Sequence, residues 1–343
     1  MLAKGSTSND LPAQMMVVEA TAAGGPDVLV AGRRAVPVPR AEEVLIEVAA
    51  AGVNGPDLMQ RRGLYPAPPG ASDLLGLEVA GTVVAVGEGV SGWAVGDAVT
   101  ALTNGGGYAE YCASDARHCL PIPAGLNLRD AAGLPETFFT IWSNIIMGAG
   151  LRAGERFLVH GGAGGIGATA IQIGKARGAS VFATDSPEWR CAFARDLGAD
   201  RVIDYRSEDF VEILRKEGGA DVILDIVGGP YVEKNIKAAA SGARIVQLAF
   251  ALGSKIEINL MPIMLKRITY TGSTLRTRSP DFKARVASEL REQIWPLIVG
   301  KKIRAVNGKS FLLSRASEAH ALMETAGHTG KIILVPDRLE ESP

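Results

Sequence analysis

The most informative stretch of the chain is a glycine-rich turn, in which Gly162, Gly164 and Gly167 follow the spacing G-x-G-x-x-G. The β-branched and aromatic run 156–160 before it predicts a buried strand, and residues 168–177 after it predict a helix. A tight turn from strand to helix points free backbone N–H groups and the positive helix end at one place, which suits a pyrophosphate. We therefore predict a dinucleotide site rather than a glycine-rich turn without a ligand. Its turn residues are Gly162, Gly164, Gly165, Ile166 and Gly167.

The type of nicotinamide cofactor depends on Asp185, which closes the next predicted strand, 18 residues after Gly167. A carboxylate there accepts hydrogen bonds from ribose hydroxyls and selects NAD(H), unless it serves as a helix N-cap. Arg190 favours NADP(H) instead, because its guanidinium can bind a 2′-phosphate with help from Ser186 and Tyr205. At about 4 Å and an effective dielectric near 20, Asp185 would repel that phosphate by roughly 4 kcal/mol. The alternative role of Arg190 is an exposed helix charge, so these residues leave NADPH and NADH both open.

The bulk properties restrict the class of protein. A length of 343 residues exceeds what one core usually holds, so two domains are expected. A net charge of −1 gives no basic excess that would indicate nucleic acid or an anionic membrane surface. Three cysteines favour a reducing cytosol over a disulfide framework, so we predict a cytoplasmic location. No apolar run approaches the roughly 18 residues of a membrane helix, and the polar residues 1–14 predict a disordered tail.

The hydrophobic pattern changes character along the chain. Short strands with glycine-rich corners fill residues 15–112 and predict a partly open β-barrel. A long helical region, 128–147, leads into the strand before the glycine turn. Six strands then alternate with helices as far as residue 271, which predicts a doubly wound parallel sheet. Residues 331–335 are strand-like again, so we expect the C-terminal segment to rejoin the first domain.

These features together resemble the medium-chain dehydrogenase/reductase superfamily. More narrowly, the chain is similar to its zinc-independent NAD(P)H:quinone oxidoreductases, in the branch of the tumour-suppressor-inducible enzymes. The motifs that carry the resemblance are NGPDLMQRRGLYPAPPGAS at 54–72, GLEVAG at 76–81, GGGYAEY at 105–111, HGGAGGIG at 160–167, AFARDLGAD at 192–200, VIDY at 202–205 and GKIIL at 330–334.

The resemblance implies an α/β fold in which a GroES-like, partly open β-barrel domain is joined to a Rossmann domain. The GroES-like catalytic domain would be discontinuous and comprise residues 15–137 and 278–343. The Rossmann cofactor-binding domain would span residues 138–277. Relatives commonly form homodimers that join their cofactor domains edge to edge, so a homodimer is implied as well.

The resemblance also predicts that no metal takes part. Zinc-dependent relatives use a cysteine and a histidine at positions where this chain has Asn54 and Leu77. A leucine cannot bind a metal, and an amide oxygen is a poor zinc ligand beside thiolate or imidazole. Cys112, Cys119 and His118 lie close in sequence, but we interpret them as ordinary strand and loop residues. A metal-free site disfavours simple alcohol oxidation, in which an alkoxide must be stabilised.

Further cofactor contacts are implied by the resemblance, which favours NADPH, with NADH as the alternative because of Asp185. Thr140 and Lys331 would lie near the nicotinamide, and strand ends would supply the others. The implied contacts are Thr140, Leu248, Phe250, Thr274, Arg276 and Lys331.

The acceptor side needs a flat apolar slot and hydrogen-bond donors for a developing oxyanion. Tyr65 is our first candidate for the slot, and Asn54 for a donor. Their alternatives are a loop aromatic that covers the core and a local turn residue. Asp57 and Arg61 are interpreted as a surface ion pair one helical turn apart. His160 is interpreted as a packed residue with backbone hydrogen bonds.

Three functions are compatible with this sequence. The first is NAD(P)H-dependent, metal-free reduction of a small quinone or a related enone. The second is reduction of 2-alkenals or enoyl thioesters on the same scaffold. The third is a protein that binds NADPH with little turnover. All three keep the glycine turn, so the sequence separates them poorly.

Overall fold

The computed structural model describes residues 11–337, and within them the chain forms fifteen strands and eleven α-helices. Of the predicted disordered tail 1–14, residues 1–10 lie outside the described residues, and Gln14 begins the first strand. The strands are β1 Gln14–Ala20, β2 Leu29–Ala35, β3 Glu43–Val53, β4 Glu78–Val86, β5 Ala98–Leu102, β6 Tyr111–Asp115, β7 Cys119–Pro121, β8 Arg156–His160, β9 Ser180–Asp185, β10 Arg201–Asp204, β11 Ala220–Asp225, β12 Ala239–Gln247, β13 Thr269–Gly272, β14 Asn307–Leu312 and β15 Lys331–Val335.

The helices cover the sheets and connect them. They are α1 Gly55–Arg61, α2 Leu128–Ala131, α3 Pro135–Ile141, α4 Gly165–Ala176, α5 Glu188–Asp196, α6 Phe210–Lys216, α7 Tyr231–Ala238, α8 Met261–Lys266, α9 Pro280–Gln293, α10 Trp295–Val299 and α11 Ala316–Glu324. In the described part of the chain, no helix combines the length and the apolar character that crossing a membrane requires.

The first large sheet is built from both ends of the chain. Its strand order is β14-β15-β3-β4-β5-β7, and β6 pairs with β3. The C-terminal strand β15 runs antiparallel to β3, with Ile333 opposite Gly52. β1 and β2 form a separate two-stranded antiparallel sheet. Position 331 of β15 is therefore brought beside the end of β3, next to residue 54.

The second large sheet is the predicted doubly wound sheet. All five neighbouring pairs are parallel, and the order is β10-β9-β8-β11-β12-β13. The strand order reverses direction between β8 and β11, and ligands of such sheets bind beyond the carboxyl ends of the strands at this point. His160, Asp185 and Asp225 are the last residues of β8, β9 and β11. The α/β fold class is confirmed.

The helical region predicted over 128–147 is interrupted, and that prediction is wrong in detail. α2 ends at Ala131, α3 begins at Pro135, and a π-helix, Trp142–Gly148, continues it. Proline lacks the N–H that an uninterrupted helix would need and is favoured in a first turn. A side chain at Gly133 would also meet Lys331, whose Cγ lies 3.1 Å from an ideal Cβ there. The break therefore lets β15 pass close to the start of α3.

Candidate functional site

Hydrogen bonds to the end of the neighbouring strand β9 fix the glycine turn. The N–H groups of Gly161 and Gly162 donate to the Thr184 carbonyl at 2.9 and 3.1 Å. The Ala163 N–H donates to the Asp185 carboxylate at 2.7 Å. A Cβ at Gly167 would lie 2.1 Å from the Gly161 carbonyl oxygen, so only glycine fits at this close approach.

The turn leaves free donors where a diphosphate would bind. α4 begins at Gly165 and is 12 residues long, so the N–H groups of Gly165, Ile166 and Gly167 point out of its first turn. At Gly164 the nearest neighbour of an added Cβ is 3.6 Å away, which leaves the turn open on one side. This cradle fits the pyrophosphate of a dinucleotide.

Asp185 and Arg190 form a buried ion pair at the ribose end of the site. Arg190 Nε lies 2.6 Å from Asp185 Oδ1, and the exposed fractions of the two residues are 8% and 3%. Arg190 Nη1 also donates to the carbonyls of Ala326 and His328. The alternative of an exposed helix charge is therefore wrong for Arg190. The N-cap alternative is wrong for Asp185, because Pro187 occupies the N-cap of α5.

A hydroxyl without a partner lies beside this ion pair. Ser186 is 5% exposed, and its Oγ finds no hydrogen-bond partner among residues 11–337. Its backbone N–H donates to Asp185 at 2.8 Å. Buried hydroxyls are normally hydrogen-bonded, so an orphaned one next to a predicted ribose site fits a polar ligand atom.

His160 supports the turn from inside the sheet. Its Nδ1 lies 2.8 Å from the Thr184 hydroxyl, and its Nε2 lies 2.7 Å from Asn235 Oδ1. Asn235 Nδ2 in turn donates to Asp225 at 2.9 Å. Burial lowers the pKa of His160, which keeps the ring neutral. The packed role is as expected, but the predicted backbone hydrogen bonds are wrong, because both partners are side chains.

A buried cation lies close to the start of α4. Lys331 is 4% exposed, and its ammonium lies 2.5 Å from Glu78 Oε1. It also donates to the Asn54 side-chain oxygen and, at 3.2 Å, to the Val53 carbonyl. Asn54 Nδ2 completes the group by donating to Glu78 at 2.9 Å. The Lys331 side chain lies against Gly165 at the start of α4, since a Cβ added to Gly165 would be 2.7 Å from the Lys331 Cδ.

This cluster occupies the position that the resemblance assigns to zinc in other members of the superfamily. Leu77, at the histidine position, is an apolar buried side chain. The Asn54 oxygen is already bound to an ammonium ion. Within the described range, no group of three or more His, Cys, Asp or Glu side chains is arranged to hold a metal.

The predicted surface pair of Asp57 and Arg61 is wrong, because both residues are buried. Asp57 accepts the backbone N–H groups of Asn54 and Gly76 at 2.8 and 3.0 Å. Burial raises the pKa of Asp57 to about 6. Arg61 instead pairs with Glu324 of α11, and therefore links α1 to the C-terminal segment.

Tyr65, the predicted acceptor contact, packs against Arg276, a predicted cofactor contact. The Arg276 guanidinium lies over the Tyr65 ring, 5.7 Å from its centre. Arg276 also donates to Gln60 Oε1 at 2.7 Å and to the Asn104 carbonyl. Burial, followed by the charge of Glu136, raises the pKa of Tyr65, so its hydroxyl stays protonated and able to donate.

The remaining predicted contacts differ in exposure. Thr140 and Leu248 are partly buried, whereas Tyr205, Phe250 and Thr274 are exposed. Leu248 follows β12 and donates its N–H to the Asp225 carbonyl at 2.8 Å. The assignment of these residues as cofactor contacts stays a prediction.

Two acids near Lys331, the buried Glu78 and the partly buried Glu136, were not predicted as site residues. Glu78 is the third residue of the GLEVAG motif, which starts at Gly76, so its place in this motif was a signal that could have identified it. Glu136 had no comparable signal, because an acid in the first turn of a helix is common on electrostatic grounds alone. The Glu136 N–H donates to Glu78 Oε2 at 2.8 Å, which joins the two residues.

Comparisons with known proteins agree with this geometry. The profile of the alcohol dehydrogenase GroES-like domain matches residues 40–124, and that of the zinc-binding dehydrogenase family matches residues 165–292. Human quinone oxidoreductase is 32% identical over 323 residues, covering 91% of this chain and 95% of that protein.

Two solved structures are similar over almost the whole chain. The quinone oxidoreductase of Escherichia coli complexed with NADPH has a TM-score of 0.83 at 29% identity, and covers 94% of this chain and 100% of its own. The CurK enoyl reductase has a TM-score of 0.82 at 30% identity, and covers 95% of this chain and 100% of its own.

Proposed function

Because the chain belongs to the medium-chain dehydrogenase/reductase superfamily and groups with its quinone oxidoreductases, we propose that it reduces quinones with electrons from NADPH. The observation that carries this proposal is one juxtaposition. An intact dinucleotide turn lies next to a buried ammonium ion, that of Lys331, at the position where zinc-dependent relatives hold their metal.

The chain's own residues would hold and orient the reactants. The free N–H groups at the start of α4 would bind the pyrophosphate, and Ser186 would bind the ribose end. The reduced nicotinamide, when bound, supplies a hydride. Tyr65 would cover one face of the acceptor. Asn54 would lie near the nicotinamide end, held by Lys331 and Glu78, and it could donate to a bound group only by giving up its 3.4 Å hydrogen bond to the Gly52 carbonyl. A quinone is already electrophilic, so orientation provides much of the rate.

The preference for NADPH over NADH is part of the proposal. Arg190 neutralises Asp185, which removes most of the repulsion that a 2′-phosphate would otherwise meet. We expect Arg190→Ala to weaken NADPH binding by about 10- to 100-fold and NADH binding much less, since a charge-assisted hydrogen bond contributes about 1.5–3 kcal/mol. Fluorescence titration with both cofactors measures this. Arg195→Ala, on the exposed side of the same helix, is the matched control. Equal losses for both cofactors would assign Arg190 a purely structural role.

We propose that the reaction uses no metal. Leu77 offers no ligand atom, and the oxygens of Asn54 and Glu78 surround an ammonium ion that would repel a second cation. Activity should therefore survive exhaustive chelation. An active enzyme that contains one zinc ion per chain would contradict this part of the proposal.

Reduction of linear enones is the second candidate function. The similarity to the CurK enoyl reductase supports it, because that chain matches over almost its full length. The two candidates share the hydride donor and differ in the acceptor. Parallel assays of NADPH oxidation with 9,10-phenanthrenequinone and with a linear 2-alkenal separate them. Faster turnover of the quinone supports the first, and turnover of the alkenal alone supports the second.

We propose that the chain forms a homodimer through the edge of the six-stranded sheet. β13 is one of the two edge strands of this sheet, and all four of its residues are exposed. α8 beside it has no buried residue and presents Met261, Met264 and Leu265. A second copy that extends the sheet would cover this apolar surface.

The dimer is tested with the double change Met264→Glu and Leu265→Glu. We expect it to convert the dimer to a monomer in light scattering, because it places two charges in a desolvated interface. Val95→Glu, at another exposed apolar position, is the control and should stay dimeric. A wild-type chain that is already monomeric would contradict the proposal.

The domain division and the location are also proposals. All strands of the six-stranded sheet lie within the proposed cofactor-binding segment 138–277, and those of the seven-stranded sheet lie outside it. Cys112, Cys119 and Cys191 are buried and free, which fits the reducing cytoplasm.

A further inference from the structure

Glu136 is a partly buried acid close to Glu78 that has no role in the proposed function. It lies in the first turn of α3, and its N–H is fixed by Glu78 at 2.8 Å. Its side chain is partly buried, and among residues 11–337 its carboxyl makes no hydrogen bond and no ion pair. Within residues 11–337, the side-chain atoms that are both buried and without a partner are Ser186 Oγ and His328 Nδ1, so the Glu136 carboxyl is not fully enclosed. An acid that is free of protein partners and not sealed off can contact a bound molecule.

The position of Glu136 links the two predicted halves of the site. Thr140, the predicted nicotinamide contact, lies four residues later on the same face of α3. The charge of Glu136 contributes to raising the pKa of Tyr65, the predicted acceptor contact, so the two side chains are near each other. The next residue, Thr137, packs near the glycine turn: its methyl group would lie 3.5 Å from a Cβ added to Gly165. Glu136 therefore lies in the same region as residues predicted to contact the cofactor and the residue predicted to contact the acceptor.

We propose that the Glu136 carboxyl is the proton donor that completes reduction of the acceptor. This inference rests on the proposed function. Two-electron reduction by hydride leaves a negative charge on the acceptor oxygen. The O–H bond of the carboxyl breaks, a new O–H bond forms on that oxygen, and the resulting carboxylate takes a proton from water. One hydride and one proton then account for the reduced product.

The surroundings keep this acid protonated near neutral pH. Burial, and then the charge of the Glu78 carboxylate, raise the pKa of Glu136 to about 8, although Lys331 opposes the shift. A general acid works best when its pKa lies near the working pH. The charged and titratable groups that act on or with this carboxyl are Glu78, Asp57, Lys331, Lys283, Tyr65 and Arg276. Burial lowers the pKa of Lys283 to about 8 as well, so the test must tell these two groups apart.

The test compares the wild type with Glu136→Gln, and uses Glu88→Gln, at an exposed loop position, as the matched control. With a linear enone, we expect Glu136→Gln to lower kcat by about 100-fold or more, since general acids contribute about 10²–10⁴-fold. The loss with a quinone should be smaller, because a hydroquinone anion is less basic than an enolate. NADPH affinity should change less than twofold by fluorescence titration.

The pH profile and an infrared spectrum add readouts that a purely structural role would not move. The wild-type kcat should be level below a pH of about 8 and fall above it, and Glu136→Gln should lack this fall. The ligand-free wild type should show a carboxylic acid C=O band that titrates in the same range and is missing from the variant. Lys283 has no such band.

The dependence of folding stability on pH gives a further test of the raised pKa of Glu136. The pKa of Glu136 is higher in the folded chain than the ordinary value of 4.5, so the folded state holds this proton more tightly. Stability is therefore lost as the pH rises between these two values. The urea midpoint of Glu136→Gln should rise relative to the wild type over this range, and level off above it.

Failure of the proton transfer can be told apart from failure of the proposed function. If the wild type oxidises no NADPH with any acceptor, both the proposed function and the proton transfer are wrong. An active wild type with an equally active Glu136→Gln, or with no variant-sensitive carboxylic acid band, overturns the proton transfer alone.

Discussion

Lys331→Met will lower the apparent free energy of unfolding by about 3–5 kcal/mol, because it leaves the Glu78 carboxylate buried without its cation. Glu78 is fully buried, and its ammonium partner lies 2.5 Å away. Asn54 also loses the donor that fixes its side-chain oxygen. Urea denaturation measures the loss, and quinone-dependent NADPH oxidation should fall with it.

The double variant Lys331→Met with Glu78→Gln is the control for this prediction. It removes both charges, so most of the lost stability should return, as expected for a pair whose members stabilise mainly each other. Activity should stay low, because Asn54 is still unsupported. If Lys331→Met alone has a stability within about 1 kcal/mol of the wild type, the ammonium does not hold this cluster together.

Gly167→Ala will weaken NADPH binding by about 100-fold, or close to 3 kcal/mol, and will destabilise the fold as well. The added Cβ would lie 2.1 Å from the Gly161 carbonyl and 2.7 Å from the Gly162 Cα, both of them backbone atoms. The turn must open to admit it, and its free N–H groups then no longer converge. Calorimetry gives the affinity, and thermal unfolding without cofactor gives the stability.

Gly164→Ala separates the two effects. Its Cβ would meet only the Gly161 oxygen, at 3.6 Å, so the ligand-free protein should stay as stable as the wild type. NADPH affinity should still fall, since the methyl group projects into the open side of the turn. A Gly164→Ala protein with wild-type affinity would show that the pyrophosphate binds elsewhere.

The fold class followed from the sequence because its signals are local. The glycine spacing, the strand before it and the helix after it lie within one short segment, and the strands Arg156–His160 and Lys331–Val335 match their predicted limits. The carboxylate at position 185 was likewise readable as the end of β9. In each case the neighbouring residues supply the whole physical reason.

The polar contacts of the site could not be predicted, because they join distant segments. Lys331 meets Glu78, and Arg61 meets Glu324, only after β15 pairs with β3 and α11 packs against α1. Local spacing made Asp57 and Arg61 look like a helical surface pair, but tertiary partners bury both. Arg190 is a similar case, since its carbonyl partners at residues 326 and 328 come from the returning segment.

Hydride transfer from NADPH to a quinone without a metal can be observed in a stopped-flow single turnover. Chelated, metal-free protein loaded with one equivalent of NADPH is mixed with 9,10-phenanthrenequinone under nitrogen. We expect complete loss of the reduced-nicotinamide absorbance, at a lower rate when the transferred hydrogen is deuterium. Absorbance that persists, or that decays only after zinc is restored, would contradict metal-free hydride transfer.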